Sequence, residues 1–393
     1  MARVSGSYTT DDPRLVKRWI CAAPSIDNDG VGAHSTIERD SHSWSMDGAA
    51  QVQRFTSRGS SVVYDPDTRA TAADFAYAGA QTLAGGHLHA RWSPRRGLTV
   101  AGGIRADDVT DLSPFMGGWT QVQVALSGDL AVTAAVSRHG QSPDVLQRFG
   151  PAGTPDLTFE TATLLDAGLA WRHGAWGLAL NVYERREHDG LDTPDRQFRL
   201  TPEGRLTGGN PWAPWLNAWT GRARGAEVML RRQSAAGARG LRWSGWIGYG
   251  YGRTAYESDI DPDFAGAFDQ RHLLTLSATA QLGDRWDSAA SLRLATNWPY
   301  EGWFEEGVDG RIRLSMQRNA LRLPDYGRLD LRVRYRVPVP HGRLLLFAEA
   351  LNATNATNHR QVSGSINTRT FVVGRLSEKQ LPIIPAVGVA FEF

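Results

Sequence analysis

The stretch "GRLDLRVRYRV", Gly327 to Val337, decides the fold. Leu329, Leu331, Val333, Tyr335 and Val337 fall on one register, and Arg328, Asp330, Arg332, Arg334 and Arg336 on the other. Alternation with period two is the mark of a strand with one apolar and one polar face. The run is about ten residues long, which matches the roughly 9–11 that a tilted strand needs to cross a bilayer. Arginines on the second face require water, which a wet barrel lumen supplies and a dry sandwich core does not.

The pattern recurs along the chain. In "HLLTLSATAQL", Leu274, Leu276, Ala278, Ala280 and Leu282 oppose Thr275, Ser277, Thr279 and Gln281. In "AWGLALNVYER", Trp176, Leu178, Leu180 and Val182 oppose Asn181, Tyr183 and Arg185. About 14 such segments are legible, near 43–55, 73–92, 97–106, 116–126, 129–138, 159–172, 175–187, 219–233, 240–255, 269–282, 285–296, 326–337, 342–352 and 384–393. The first two are the least regular, because "TLAGGHLHA" can hide a bulge or a turn. Residues 1–42 show one strand-like run, "ARVSGSY", and otherwise read as loop, so the barrel is expected over 43–393.

Connections alternate between short and long. "HG" (His173, Gly174), "SGD" (Ser127 to Asp129), "GD" (Gly283, Asp284) and "PHG" (Pro340 to Gly342) have the chemistry of tight turns. Between them run long polar or aromatic connections, near 139–158, 188–218, 256–268, 297–325 and 353–383. Short turns at one rim and long loops at the other distinguish a transmembrane β-barrel from a soluble sandwich. The last segment follows a long loop and therefore runs inward, which places the short turns in the periplasm. Trp171, Trp176, Trp243 and Trp286 lie beside short turns, where an interfacial girdle falls.

Composition agrees with this reading. The formal net charge of the 393-residue chain is +2, which offers no electrostatic footprint for nucleic acid. Mean hydropathy is −0.36, and no apolar run approaches the roughly 20 residues of a membrane helix. A barrel hides its membrane face in alternation, so that average does not exclude it. The single Cys21 excludes an internal disulfide framework and a cysteine-based zinc site. "MARVSGSYTT" contains no apolar export-signal core.

No nucleophile–base pair, phosphate loop or histidine–cysteine cluster is legible, and the ten histidines read as mostly turn or loop residues; an enzyme is not expected. Ligand capture is. Trp212, Trp215 and Trp219 in "NPWAPWLNAW" supply rigid faces for stacking, as do Trp298, Tyr300 and Trp303 in "NWPYEGWFEE". The same rings can instead anchor loops at the outer lipid boundary. Arg328, Arg332, Arg334 and Arg336 can attract an anionic solute, or pair with lumenal acids such as Asp330 and Glu227 or with a domain filling the lumen. Asp259, Asp261 and Asp263 in "ESDIDPDF" have hard-oxygen spacing for calcium, although the stretch lacks the glycine and distal glutamate of an EF-hand loop.

Beyond these readings, the chain resembles the barrel of TonB-dependent outer-membrane receptors. "LTFETATLLDAGLAWR" (Leu157 to Arg172), "GRARGAEVMLRR" (Gly221 to Arg232) and "FDQRHLLTLSATAQL" (Phe268 to Leu282) are similar to family strands in family order. "YGRLDLRVRYRV", "LLLFAEALNATNATN" and "LPIIPAVGVAFEF" resemble its closing three strands, and a weaker likeness extends over 73–138. The resemblance implies a bacterial outer-membrane barrel, capture of a scarce solute by the outer loops (a ferric chelate, vitamin or glycan), and uptake driven by a TonB-type complex acting on a plug. In the family the plug fills a barrel of roughly 22 strands. No plug is legible here, so the expectation is the C-terminal part of such a receptor, with a plug-less passive porin or a truncated, non-functional fragment as alternatives. Phe391 and Phe393 alternate with Glu392 at the end of the last strand, where the resemblance implies that barrel-assembly machinery reads an aromatic signal.

Overall fold

In a computed structural model of the protein, residues 19–25, 33–40, 43–64, 71–234 and 240–393 are described. The wall begins with β1 (Trp19–Ser25), β2 (Ala33–Asp40), β3 (Trp44–Tyr64), β4 (Thr71–Arg95), β5 (Leu98–Val109), β6 (Phe115–Ala125) and β7 (Leu130–Gln141). After a short helix α1 (Val145–Phe149) come β8 (Glu160–His173) and β9 (Trp176–Asp192), then two short loop strands, β10 (Arg199–Leu200) and β11 (Leu206–Thr207). The wall continues with β12 (Leu216–Arg232), β13 (Leu241–Ser258), β14 (His272–Leu282) and β15 (Trp286–Ala295). It is interrupted by the loop strands β16 (Phe304–Glu306) and β17 (Ile312–Leu314), and resumes with β18 (Tyr326–Val339) and β19 (Gly342–Leu351). The loop strands β20 (His359–Gln361) and β21 (Ser377–Lys379) precede the last wall strand, β22 (Ile384–Glu392).

All pairings in the wall are antiparallel, and neighbours follow chain order from β3 through β9, β12–β15, β18, β19 and β22. These are the 14 strands expected from alternation. The irregularity foreseen in "TLAGGHLHA" falls later, between Trp92 and Arg95. The strand-like run near Ala2–Tyr8 lies outside the described residues. Two strands that alternation did not indicate, β1 and β2, both pair with β3, through Arg58–Tyr64 and Ser45–Val52 respectively. They run in the same direction along one edge of β3, so together they occupy a single, interrupted strand position. Pairing does not join that edge to β22 among the described residues.

Register puts each strand's apolar residues opposite those of its neighbours. Leu331 faces Ala290 and Ala350, Val333 faces Ser288 and Ala348, and Val389 faces Leu346. The exposed face of the wall is accordingly apolar, with Leu331, Val333, Val387, Val389 and Phe391 among its residues. At the short-turn rim Trp176 meets Trp243 edge-on at 5.9 Å, and Trp286 packs on Tyr335 at 4.5 Å. Toward the other rim, Tyr249 bonds His272 (2.8 Å) and Tyr251 lies beside the same ring. These aromatic bands are the girdles that bound a membrane-facing belt. Tight turns of the expected chemistry close the first rim; Gly97 and His341 both adopt positive φ, +79° and +72°.

Candidate ligand site at the outer mouth

At the other rim, the loops fold into a roof. Loops 193–215, 296–325 and 352–383 share a hydrophobic core of Tyr300, Leu314, Leu323, Ile366, Val373 and Leu376, with Phe198, Leu200 and Leu206 packed against it. The backbone crosses between loops: Leu200 N–H donates to Ser315 O, Leu314 N–H to Phe371 O, and Val373 N–H to Ile312 O. Two ion-paired anchors tie this roof to the wall. Asp269, with a fully buried carboxylate, accepts from Thr254 N–H and pairs with Arg322 and Arg271. Asp192, at the end of β9, pairs with Arg318. In the same roof, the Arg313 guanidinium bonded to Asp309 holds that carboxyl below its usual range, helped by the Arg311 N–H. A further loop turns into the barrel at α1. Asp144 caps that helix, accepting from Leu146 and Gln147 N–H while Gln147 bonds back to Asp144 N–H. Its Arg148 is buried, donating to Thr110 O and Pro155 O, and desolvation lowers its pKa although Asp111 and Asp156 favour its charge.

The six aromatic residues singled out in the sequence do not form one platform. Trp303 is 1% exposed inside the roof, under the Arg199 guanidinium at 5.5 Å, and Tyr300 belongs to the roof core. Trp219 lies in β12 rather than in a loop and stacks on Tyr256 at 4.6 Å; a Cβ at Gly190 would lie 2.0 Å from its ring. Trp215 is covered by Arg196 at 5.2 Å, and Trp212 is half-buried. Trp298 alone reaches open space, 42% exposed and edge-on to Phe268 at 5.8 Å.

Trp298 and Phe268 stand at a cavity of about 370 Å³ where loops 259–271, 296–325 and 352–383 meet the tops of β15 and β18. Arg293, Tyr326, His359, Arg360, Gln361 and Gln380 also line it. Arg293 lies over the Tyr326 ring at 5.8 Å, opposite Arg328 in the register, and has no carboxylate partner among the described residues. Gln361 fixes the wall of the cavity by donating to Glu301 O and accepting Glu301 N–H. Rings, amides and an uncompensated guanidinium make a mouth suited to a planar or anionic solute. Sequence inspection selected loop aromatics and passed over Arg293 and Tyr326, because each lies at the top of an ordinary wall strand. The only local signal was an arginine on the polar parity of β15; that it stands opposite Arg328 follows from the register.

The lumenal charges are largely compensated. Arg328 pairs with Asp330 (2.8 Å), which also accepts Asn352 N–H; Arg332 reaches Glu349 (3.7 Å); Arg334 and Arg336 share Asp287. Glu227 lies on β12 beside Asn181 and Gly250, away from this ladder. The three loop aspartates do not converge. Asp261 is buried as a loop organiser, accepting Asp263 N–H (3.2 Å) and Arg318 N–H (2.8 Å), while Asp259 and Asp263 are exposed. Phe391 and Phe393 lie 6.0 Å apart on the exposed face.

A single-layer antiparallel wall with an apolar outer belt, a charged interior and a roof of long loops defines an outer-membrane β-barrel. Residues 4–358 match the family described as TonB dependent receptor-like, beta-barrel, and the chain belongs to that family. Its fold is similar to the ferric yersiniabactin uptake receptor FyuA from Yersinia pestis (TM-score 0.64, 12% identity, 92% of this chain and 54% of that one). It is also similar to the ferric citrate transporter FecA (0.63, 11%, 96% and 55%) and to the FrpB iron transporter from Neisseria meningitidis (0.61, 12%, 99% and 62%). The chain thus spans little more than half the length of the solved structures it matches. No curated protein sequence matches it.

Proposed function

We propose that this chain forms the membrane wall and outer mouth of a TonB-dependent uptake receptor, a transporter component rather than an enzyme, and that it captures an anionic solute of the ferric-chelate class. The cavity beneath the roof carries this reading. Trp298, Phe268 and Tyr326 offer ring faces, and Arg293 is a cation without a carboxylate partner among the described residues. The three named structural neighbours are iron or ferric-chelate transporters, which agrees with that class. Uptake would draw on a TonB-type complex acting on the whole receptor. The exposed Val387, Val389 and Phe391 of β22 support lipid contact, and the last strand with Phe391 and Phe393 is the segment that barrel-assembly machinery would engage.

The test is titration of the detergent-folded chain with ferric citrate, a ferric catecholate, a ferric hydroxamate, the iron-free chelators and a neutral oligosaccharide, read by tryptophan quenching and calorimetry. One ferric chelate should bind saturably. Arg293→Ala and Trp298→Ala should each weaken it about tenfold or more, as expected for a charged or stacked contact. Absence of binding across the panel, or binding indifferent to both substitutions, overturns the proposal.

A further inference from the structure

A second constellation lies on the inner face of the wall, on β3 and β4. His87 and His89 are two apart on β4 and therefore share a face. Their rings stack at 4.6 Å. Register places Asp47 of β3 directly opposite His89, and His89 Nδ1 lies 3.3 Å from Asp47 Oδ2. One ligand-capable atom from each of the three residues lies within 4.8 Å of the others, the only such group among the described residues. The alternate residues Leu88 and Trp92 are exposed and apolar, so the histidines face the lumen.

Two features show that the surroundings are shaped around these side chains. First, glycine stands where a side chain would intrude. A Cβ at Gly103, opposite His89, would lie 2.4 Å from the His89 ring and 2.8 Å from Trp119 Nε1. The imidazole therefore rests on bare backbone with the indole against it, at 6.0 Å between centroids. Second, a cavity of about 170 Å³ opens beside His87, lined by Gly85, Gly86, Arg105 and Asp107. Asp107 is 3% exposed. Its Oδ2 accepts from Arg105 Nε at 2.6 Å, whereas its Oδ1 is buried without a partner. A buried carboxylate oxygen left unsatisfied in native structure calls for an ion or an ordered water. The Arg105–Asp107 pair cancels its own charge, and Asp47 supplies the one carboxylate among the three donors.

We propose that Asp47, His87 and His89 form a divalent transition-metal site that clamps β3 to β4 on the lumen wall. Two imidazoles and one carboxylate suit Zn²⁺, Ni²⁺ or Cu²⁺ and not the oxygen-seeking Ca²⁺ or Mg²⁺. Donors on a tetrahedral ion stand roughly 3.3 Å apart. His89 and Asp47 already have that spacing, and His87 brings a ligand atom within 4.8 Å of both. The remaining position would be left to water or to a further donor from the lumen.

The experiment uses the full, untagged chain folded in detergent, exposed to ZnCl₂, NiCl₂, CuCl₂ or CaCl₂, desalted, and analysed by elemental mass spectrometry beside a thermal melt. The expected result is retention of about one equivalent of a transition metal and no calcium, with a higher melting temperature in its presence. His87→Gln with His89→Gln should abolish both effects, Asp47→Asn should weaken retention by tenfold or more, and His139→Gln should change nothing. If the double variant does not fold, the Asp47→Asn retention and the wild-type melt decide. No retention by the wild-type chain, or retention unchanged in Asp47→Asn, overturns the assignment.

Discussion

The wall and the roof are held together by different physics. In the interior of the wall the backbone pairs with a strand on each side, and side chains are sorted by parity: Val333 faces outward and Arg332, one residue away, reaches Glu349 in the lumen. In the roof, strands of two or three residues carry little pairing of their own and depend on a shared core assembled from three loops. A wall position is therefore judged by which face it occupies, and a roof position by how deeply it is packed.

The largest effect that follows is Trp303→Ala. Removing so large a side chain from the roof interior should destabilise the roof by about 3–5 kcal/mol. Loops 296–325 and 352–383 should then be cleaved by added protease while the heat-modifiable gel mobility of the barrel is unchanged. Loss of the barrel together with the roof would show that the wall depends on the roof for its stability. Next comes a test of the two faces of one strand. Val333→Arg should cost about 2–4 kcal/mol in a bilayer-refolding titration, as expected of a cation at mid-depth on the lipid side. Arg332→Ala, on the lumen side, should cost less than about 1 kcal/mol. Similar costs for both would mean that the faces are wrongly assigned.

A smaller effect is expected at Gly388, where a Cβ would lie 2.3 Å from the Phe347 ring. Gly388→Ala should displace that ring and destabilise the β19–β22 pair by about 1–3 kcal/mol, and Phe347→Leu in the same chain should recover part of the loss. The weakest effect concerns pH in the roof. The Asp309 carboxyl is held low in the folded state, chiefly by its bond from Arg313, so its contribution is fully present above the ordinary carboxylate pKa. That contribution disappears as pH falls through the depressed folded value. The protection of amides in the β16–β17 hairpin, taken relative to the intrinsic exchange rate at each pH, should therefore fall in acid in the native chain and lose this dependence in Asp309→Asn.

How much was legible follows from the same division. Alternation located all 14 principal wall strands, because a strand with lipid on one face and water on the other must separate apolar from polar residues at every step. It did not locate β1 and β2, which are short and are held by their pairing with β3. In the roof, composition suggested that "NWPYEGWFEE" presents a stacking surface, yet Tyr300 and Trp303 are buried and only Trp298 is open. Nothing in that stretch distinguishes its rings; the neighbouring loops do. Trp219 fell at the boundary between the expected loop 188–218 and strand 219–233, and irregular pairing on either side of it, at Asn217 and Gly221, blurs the period of β12 there. The Asp144 capping box of α1 was present in "PDVLQ", inside a segment whose length alone suggested a loop.

Taken alone, the sequence determined that this chain is an outer-membrane barrel, which face of each strand meets lipid, and where the short and long connections lie. Period two and turn chemistry are local, and each is written within a dozen residues. Tertiary structure decided which aromatic rings are free, which charges are cancelled and which residues meet. Arg293 and Tyr326 come together through pairing between strands, Trp298 and Phe268 through loop packing, and Asp47 and His89 through a register spanning 42 residues. Such meetings depend on long-range pairing and packing, and no local pattern encodes them.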